Sequence, residues 1–309
     1  MNKYNIRANY ERIEKVGHVL AEIGFNGFVN LDKREPEYIV LEEIYRKYRD
    51  ERVLLVLGLG VALLDYRLPR GGAYLFWNTF VELIKKELYP KKNPGLEDLL
   101  NILLLFTNTR ACSRLRYQKK QRIVKYRSFA KYLWKSGWMI YAGNPDYIWM
   151  RLANTMGQSR SAKTIAFAMK VLDLITILVH GDYAGFKDVY YIPVDYHVAR
   201  MSIYSGVIEV DPMLSRGSVS NIAEELTNEP YKNMIIEAWY QVSRIASKLL
   251  NKTINVFRID TLLWRVSKTF SDNYPKNRAI NEVVNLLVKE ADIEESIARD
   301  IAEQLLYNF

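Results

Sequence analysis

Residues 156–167 read Met156-Gly157-Gln158-Ser159-Arg160-Ser161-Ala162-Lys163-Thr164-Ile165-Ala166-Phe167. Twenty-five residues beyond Phe167 comes Ile192-Pro193-Val194-Asp195-Tyr196-His197-Val198-Ala199-Arg200. In the first, a run of glycine and small polar residues separates two apolar-periodic segments. It predicts a turn between a helix starting at Asn144-Pro145-Asp146 and a strong helix over Lys163–Val179, closed by His180-Gly181-Asp182. In the second, a Pro-Val-Asp step opens another helix at Tyr196. The two starts can place an amine, Lys163, beside a carboxylate, Asp195.

Periodicity extends the helical reading in both directions. Helices are predicted over Ile6–Ile23, broken at Gly24–Phe28, and over Pro36–Tyr48, with proline near the start. Val53–Tyr66 is apolar on nearly all sides and reads as a buried helix ended by Pro69-Arg70-Gly71-Gly72. Further helices are expected over Ala73–Tyr89, Leu96–Thr107 and Cys112–Tyr132, then over Tyr196–Tyr204, Pro230–Leu250, Arg258–Phe270 and Ile280–Phe309. Val189–Val194 reads as extended chain, and Arg216–Ser220 and Ser271–Asn277 as loops. No β-alternation recurs, so the expected class is all-α, with no internal repeat and no obvious flexible linker.

Composition narrows the function. With 26% charged and 49% hydrophobic residues, the 309-residue chain is globular rather than disordered. Its longest apolar run, Val53–Leu64, is too short to span a bilayer, and the charged N-terminus does not read as a signal peptide. One cysteine, Cys112, excludes an intrachain disulfide framework and suits a reducing cytosol. With His18, His180 and His197 scattered, no metal site is expected. Leu57-Gly58-Leu59-Gly60-Val61-Ala62 lacks the third glycine and the strand–helix setting of a dinucleotide turn, so tight helix packing accounts for it better.

The net charge of +9 is unevenly placed. Leu99–Pro145 holds no Asp or Glu but carries Arg110, Arg114, Arg116, Lys119, Lys120, Arg122, Lys125, Arg127, Lys131 and Lys135. Such a stripe is the footprint of a phosphate-backbone binder, or a solvated face in a lysine-rich, heat-adapted protein. Tyr117, Tyr126, Tyr132 and Trp134 are interleaved at helical spacing, which suits core as well as stacking.

Each candidate residue has two readings. Gly157, Gln158, Ser159, Arg160 and Ser161 could present backbone N–H groups and side-chain donors to a phosphate at a helix start, or form an ordinary connection with a serine N-cap. Phe167 lies four residues after Lys163, on the same face. An amine attacks only when neutral, and a helix N-terminus with a dry aromatic neighbour would disfavour the ammonium. Asp260 and Trp264 form another i,i+4 pair, able to bind and stack on a purine or to serve as a helix-start Asp with a core Trp.

Together these residues resemble the helix-hairpin-helix DNA glycosylases, and among them the archaeal 8-oxoguanine glycosylase group called AGOG. Lys163, Thr164, Phe167 and Lys170 match its Lys-Thr-x-x-Phe-x-x-Lys pattern. Ile192–Arg200 is similar to its aspartate segment, Ile259–Trp264 to its Ile-Asp-x-x-Leu-Trp segment, and Ala62–Gly72 to its base-pocket segment. The similarity spans roughly residues 16–270. The resemblance implies a two-lobed helical domain over 1–309 with its site between the lobes, a hairpin and catalytic segment at about 144–204, and a C-terminal helical extension at 271–309. It also implies a bifunctional glycosylase and abasic-site lyase of base excision repair, acting on 8-oxoguanine or a related purine lesion. Lys163 would be the Schiff-base nucleophile and Asp195 the assisting carboxylate. Phe167 and Trp264 would sandwich the flipped base, Asp260 would read its edge, and Gly157–Ser161 would grip phosphates. No cofactor is implied, and a single cysteine excludes an iron–sulfur cluster. The partner would be duplex DNA, the enzyme a cytoplasmic monomer associated with the nucleoid when bound.

The sequence departs from the family at Tyr66-Arg67, where the pattern has Tyr-Gln. An amide both donates and accepts, whereas arginine only donates, so substrate-binding Arg67 leaves the identity of the base open. An expected aromatic is Ala111, and Ser205–Pro230 is longer than usual. A glycosylase for another base and a non-catalytic DNA-binding protein are the alternatives.

Overall fold

The computed structural model describes residues 4–136, 144–186, 189–212 and 216–309. In chain order it contains β1 (Asn5–Ala8), α1 (Tyr10–Ala21), α2 (Gly24–Asp32), α3 (Pro36–Tyr48), α4 (Glu51–Ala62), α5 (Gly72–Glu87) and α6 (Leu96–Phe106). A 3-10 turn at Arg110–Cys112 precedes α7 (Arg116–Ser136), α8 (Pro145–Met156), α9 (Lys163–His180) and α10 (Tyr196–Tyr204). Then come β2 (Ile208–Asp211), α11 (Arg216–Leu226), α12 (Tyr231–Leu250), α13 (Val256–Thr269), α14 (Lys276–Ala291) and α15 (Glu295–Leu305). The all-α reading holds, and the chain divides into two compact units.

One unit spans residues 34–187 and is built around α4. Every residue from Val53 to Leu64 is buried, so this helix is surrounded, as its all-round apolar sequence predicts. Helices α3, α6, α7 and α9 pack on it. Gly58 and Gly60 make room for them. A Cβ at 58 would lie 2.8 Å from Ile175 Cδ1, and one at 60 would overlap Leu103 and lie 3.0 Å from Tyr126. The paired glycines therefore serve close helix packing.

The other unit joins residues 1–33 to 188–309. Its core includes Val198 and Ala199 of α10, Trp239 of α12 and Ile259 and Leu262 of α13, all fully buried. Helix α13 is tied to α2 by a buried ion pair between Arg258 and Asp32 at 2.5 Å. Thr261 donates to the same carboxylate at 2.9 Å.

Several sequence expectations are corrected here. Ile6–Ala8 is not helical but pairs antiparallel with β2, Ile6 opposite Val210 and Ala8 opposite Ile208. Four-residue strands with partners two hundred residues apart leave no recurring alternation to detect. The expected break at Gly24–Phe28 is confined to Glu22-Ile23. Gly24 takes a left-handed φ of +69°, and a helix then buries Phe28 and Leu31. Arg216–Ser220 is not a loop but the start of α11, whose Val219, Ile222, Ala223 and Leu226 form one buried face. The stretch after Ile280 is two helices, parted at Asp292 in a left-handed conformation.

Substituting Gly60 by valine inserts methyl groups where α6 and α7 close on α4. It lowers the unfolding free energy by about 1–3 kcal/mol, as overpacking does, offset by only a few tenths of a kcal/mol from better helix propensity. A denaturant melt measures the difference, with a midpoint shift at unchanged slope expected.

Candidate active site

Lys163 is the first residue of α9, and Ala162 before it offers no side-chain cap. The serine-capped connection therefore does not form. Ser159 and Ser161 instead hydrogen-bond each other at 3.0 Å. Gly157 ends α8 in a left-handed conformation at φ +64°, its N–H returning to the Ala153 and Asn154 carbonyls. The space a Cβ would fill there is open.

Three side chains then lock the turn to its neighbours. Arg122 of α7 donates to Thr164 Oγ1 at 2.9 Å, and Thr164 donates to Gln158 Oε1 at 3.3 Å. Arg122 also lies 4.5 Å from the centre of the Tyr66 ring. Arg160 pairs with Asp146 at the start of α8 (3.1 Å) and covers the Trp149 ring. The basic helix, the hairpin and the start of α9 are one hydrogen-bonded assembly.

Lys163 is exposed and Phe167, one turn along, is half-buried. The dry surroundings expected for this lysine from its sequence are not what the structure gives it. Lys170, a further turn on, is buried and ion-paired with Glu35 at 3.3 Å. Burial and the neighbouring Glu35 raise the Glu37 pKa well above the ordinary range.

Asp65 and Lys119 join this neighbourhood, and the sequence did not single out either for a site. Asp65 accepts a 2.9 Å hydrogen bond from the Trp77 indole. Burial raises its pKa, while that bond and the positive charges of Lys163, Lys119 and Lys170 pull it back. Lys119, read from sequence as part of the basic stripe, is fully buried. Its ammonium faces the Tyr66 and Phe76 rings at 5.1 and 5.6 Å, and burial lowers its pKa. The signal available in sequence was faint: Asp65 next to the Tyr66-Arg67 pair, and Lys119 at core spacing with Ile123 and Tyr126. Arg67 is exposed, in a left-handed conformation at φ +49°. Ala111 is buried in the 3-10 turn.

In the other unit, Asp195 is the N-cap of α10. Its Oδ1 accepts from the backbone N–H of His197 (2.9 Å) and of Val198 (3.1 Å). The His197 ring meets Trp264 edge to face at 6.4 Å and hydrogen-bonds Ser267 at 3.0 Å. Arg200 donates to the Ser267 carbonyl at 2.6 Å, fixing α10 against α13. The structure thus brings Asp195 and Trp264 to neighbouring parts of one unit. Asp260, one turn before Trp264, is buried, and Trp264 is half-buried. Lys268, unremarked in the sequence, lies over the Trp264 ring at 3.4 Å.

Comparison with known proteins fixes the family. The family model described as AGOG, N-glycosylase/DNA lyase, matches residues 17–300. The chain belongs to this family. Membership makes it a DNA-acting glycosylase and lyase and sets aside the non-catalytic reading. An N-glycosylase/DNA lyase of Methanococcus maripaludis is 20% identical over 196 residues, 63% of this chain and 76% of that one. Its counterpart in Pyrobaculum aerophilum is 24% identical over 204 residues, 65% and 72% of the two chains. In fold, the chain is similar to the crystal structure of the 8-oxoguanine DNA glycosylase of Pyrobaculum aerophilum complexed with 8-oxoguanosine. The TM-score is 0.65 at 20% identity, covering 90% of this chain and 96% of that one.

The capping role of Asp195 can be separated from its charge. Asp195→Ala removes both bonds to the start of α10 and lowers the unfolding free energy by about 1 kcal/mol. Asp195→Asn keeps an acceptor oxygen and stays within a few tenths of a kcal/mol of the parent. Urea unfolding of the two variants distinguishes them.

Proposed function

We propose that the protein is a bifunctional glycosylase and abasic-site lyase that excises 8-oxoguanine or a related oxidised purine, with Lys163 as the nucleophile. Membership of the N-glycosylase/DNA lyase family carries this reading. Lys163 supports it as the exposed amine at the start of the helix that follows the hairpin.

Extruding the base costs a few kcal/mol of lost stacking and pairing. Stacking on Phe167 and on Trp264 returns about 1–3 kcal/mol each, once Lys268 leaves the indole face. Asp260 accepts from the N–H groups of the base edge. Gly157–Ser161 and the start of α9 hold the flanking phosphates through backbone N–H groups. The Lys163 amine attacks C1′, and the bonding pair of the C1′–N bond leaves with the base. Loss of the ammonium proton and opening of the sugar ring at O4′ give an imine. Asp195 stabilises the positive charge that builds on the sugar and takes up the released proton. The imine acidifies C2′–H. Removing that proton expels the 3′ phosphate and cuts the strand.

Arg67 is the residue we assign to discrimination among bases, because it stands where the family pattern has an amide. A glycosylase for a base other than 8-oxoguanine is the second reading, and this substitution favours it.

A panel of duplexes, each with one modified base, tests the proposal by single-turnover base release. Release is expected fastest from an oxidised purine, and Arg67→Gln is expected to change the ranking. Asp195→Asn slows release about 100-fold or more while duplex affinity changes less than about two-fold. Release confined to an undamaged or pyrimidine base would contradict the substrate assignment. A large loss of affinity in Asp195→Asn would contradict the role given to the carboxylate.

A further inference from the structure

A groove lies between α7 and the 156–158 turn, within a single unit, with a volume of about 360 Å³. Its walls carry Tyr117, Gln121, Arg122 and Lys125 on one side and Gly157 and Gln158 on the other. Arg122 is its fixed inner wall, held to Thr164 at 2.9 Å and to the Leu63 carbonyl at 3.4 Å. Tyr117 is 75% exposed. Among the described residues, the side chains of Tyr117, Gln121 and Lys125 make no hydrogen bond, ion pair or ring contact. Opposite them the backbone at Gly157 faces open space, so a strand can approach without meeting a side chain.

We propose that this groove binds one nucleotide of DNA that has left the base stack, distinct from the damaged nucleotide that undergoes chemistry. The lining fits no simpler ligand as well. A phosphate alone needs cations and N–H groups, and Lys125 with the hairpin would serve it. An aromatic face and the Gln121 and Gln158 amides add what a base requires: a surface to stack on, and paired donors and acceptors for its edge. An intact duplex keeps its bases inside and offers these groups only its phosphate backbone. The volume, at the lower end of ligand-binding clefts, exceeds the needs of a single phosphate. The acid-free run over 99–145 supplies the positive field that draws the strand in. The base stacks on Tyr117, its phosphate meets Lys125, and Arg122 passes the occupied state to the first turn of α9 through Thr164.

Equilibrium anisotropy on lesion-free DNA tests this apart from the identity of the nucleophile, since no base is excised. The probes are a fully paired duplex and the same duplex with a single-nucleotide bulge. Wild type is expected to bind the bulged probe more tightly. Tyr117→Ala weakens bulge binding about 5- to 100-fold and paired-duplex binding less than about two-fold. Tyr117→Phe, which keeps the ring, stays near wild type on both. Lys125→Ala reduces the slope of log affinity against log salt by about one on the bulged probe. Equal losses on both probes, no loss on either, a Tyr117→Phe enzyme as weak as Tyr117→Ala, or an unchanged slope for Lys125→Ala would each overturn the proposal.

Discussion

Helix α4 has no side chain at positions 58 and 60, and the larger part of one unit is arranged around that gap. Ile175 of α9 fills the space at Gly58, and Leu103 of α6 with Tyr126 of α7 fills the space at Gly60. Interiors pack at crystal density, so a displaced helix here cannot be absorbed by neighbours without voids or strain. Three helices take their distance from α4 by this contact. Two of them, α7 and α9, present the basic face and Lys163.

From that fixed frame the chemistry is set by short connections. The turn between α8 and α9 has no serine cap; it is held by Gly157 in a left-handed conformation. A chain of bonds running from Arg122 through Thr164 to Gln158 adds to this. The start of α9 is thus tied to the helix carrying the positive stripe, and the proposed groove on α7 connects to the first turn of α9 through Arg122 and Thr164. In the other unit one oxygen of Asp195 caps α10, which orients the carboxylate whose charge the proposed chemistry uses. Lys268 covers the aromatic face of Trp264, which the proposed base stacking would have to uncover.

What was legible in the sequence follows from range. Helices such as α3, α9 and α10 were read with near-correct bounds because each reports its own burial, whereas α4, apolar all round, was read past its end at Ala62. The hairpin was legible because glycine and proline punctuate it. The β1–β2 pairing was not, because four residues carry little pattern and the partner lies far along the chain. Helix α11 was hidden by its glycine and serines, although Val219, Ile222, Ala223 and Leu226 recur at helical spacing. For the candidate site, sequence motifs singled out Lys163, Phe167, Asp195, Asp260 and Trp264. They did not single out Asp65 and Lys119, whose settings come from tertiary neighbours: a Trp77 indole for one and two aromatic rings for the other. Lys119 in particular looked like one cation among many, and only folding shows it to be fully buried.

The proposed chemistry depends on one amine, at the start of α9, forming the covalent link to DNA. Borohydride reduction during turnover on an 8-oxoguanine duplex, followed by proteolysis and peptide mapping, reads that link directly. A reduced sugar adduct is expected on the peptide containing Lys163, with no trapped complex from Lys163→Ala. An adduct mapped to Lys119, Lys170 or any other amine, or trapping that survives Lys163→Ala, would contradict it.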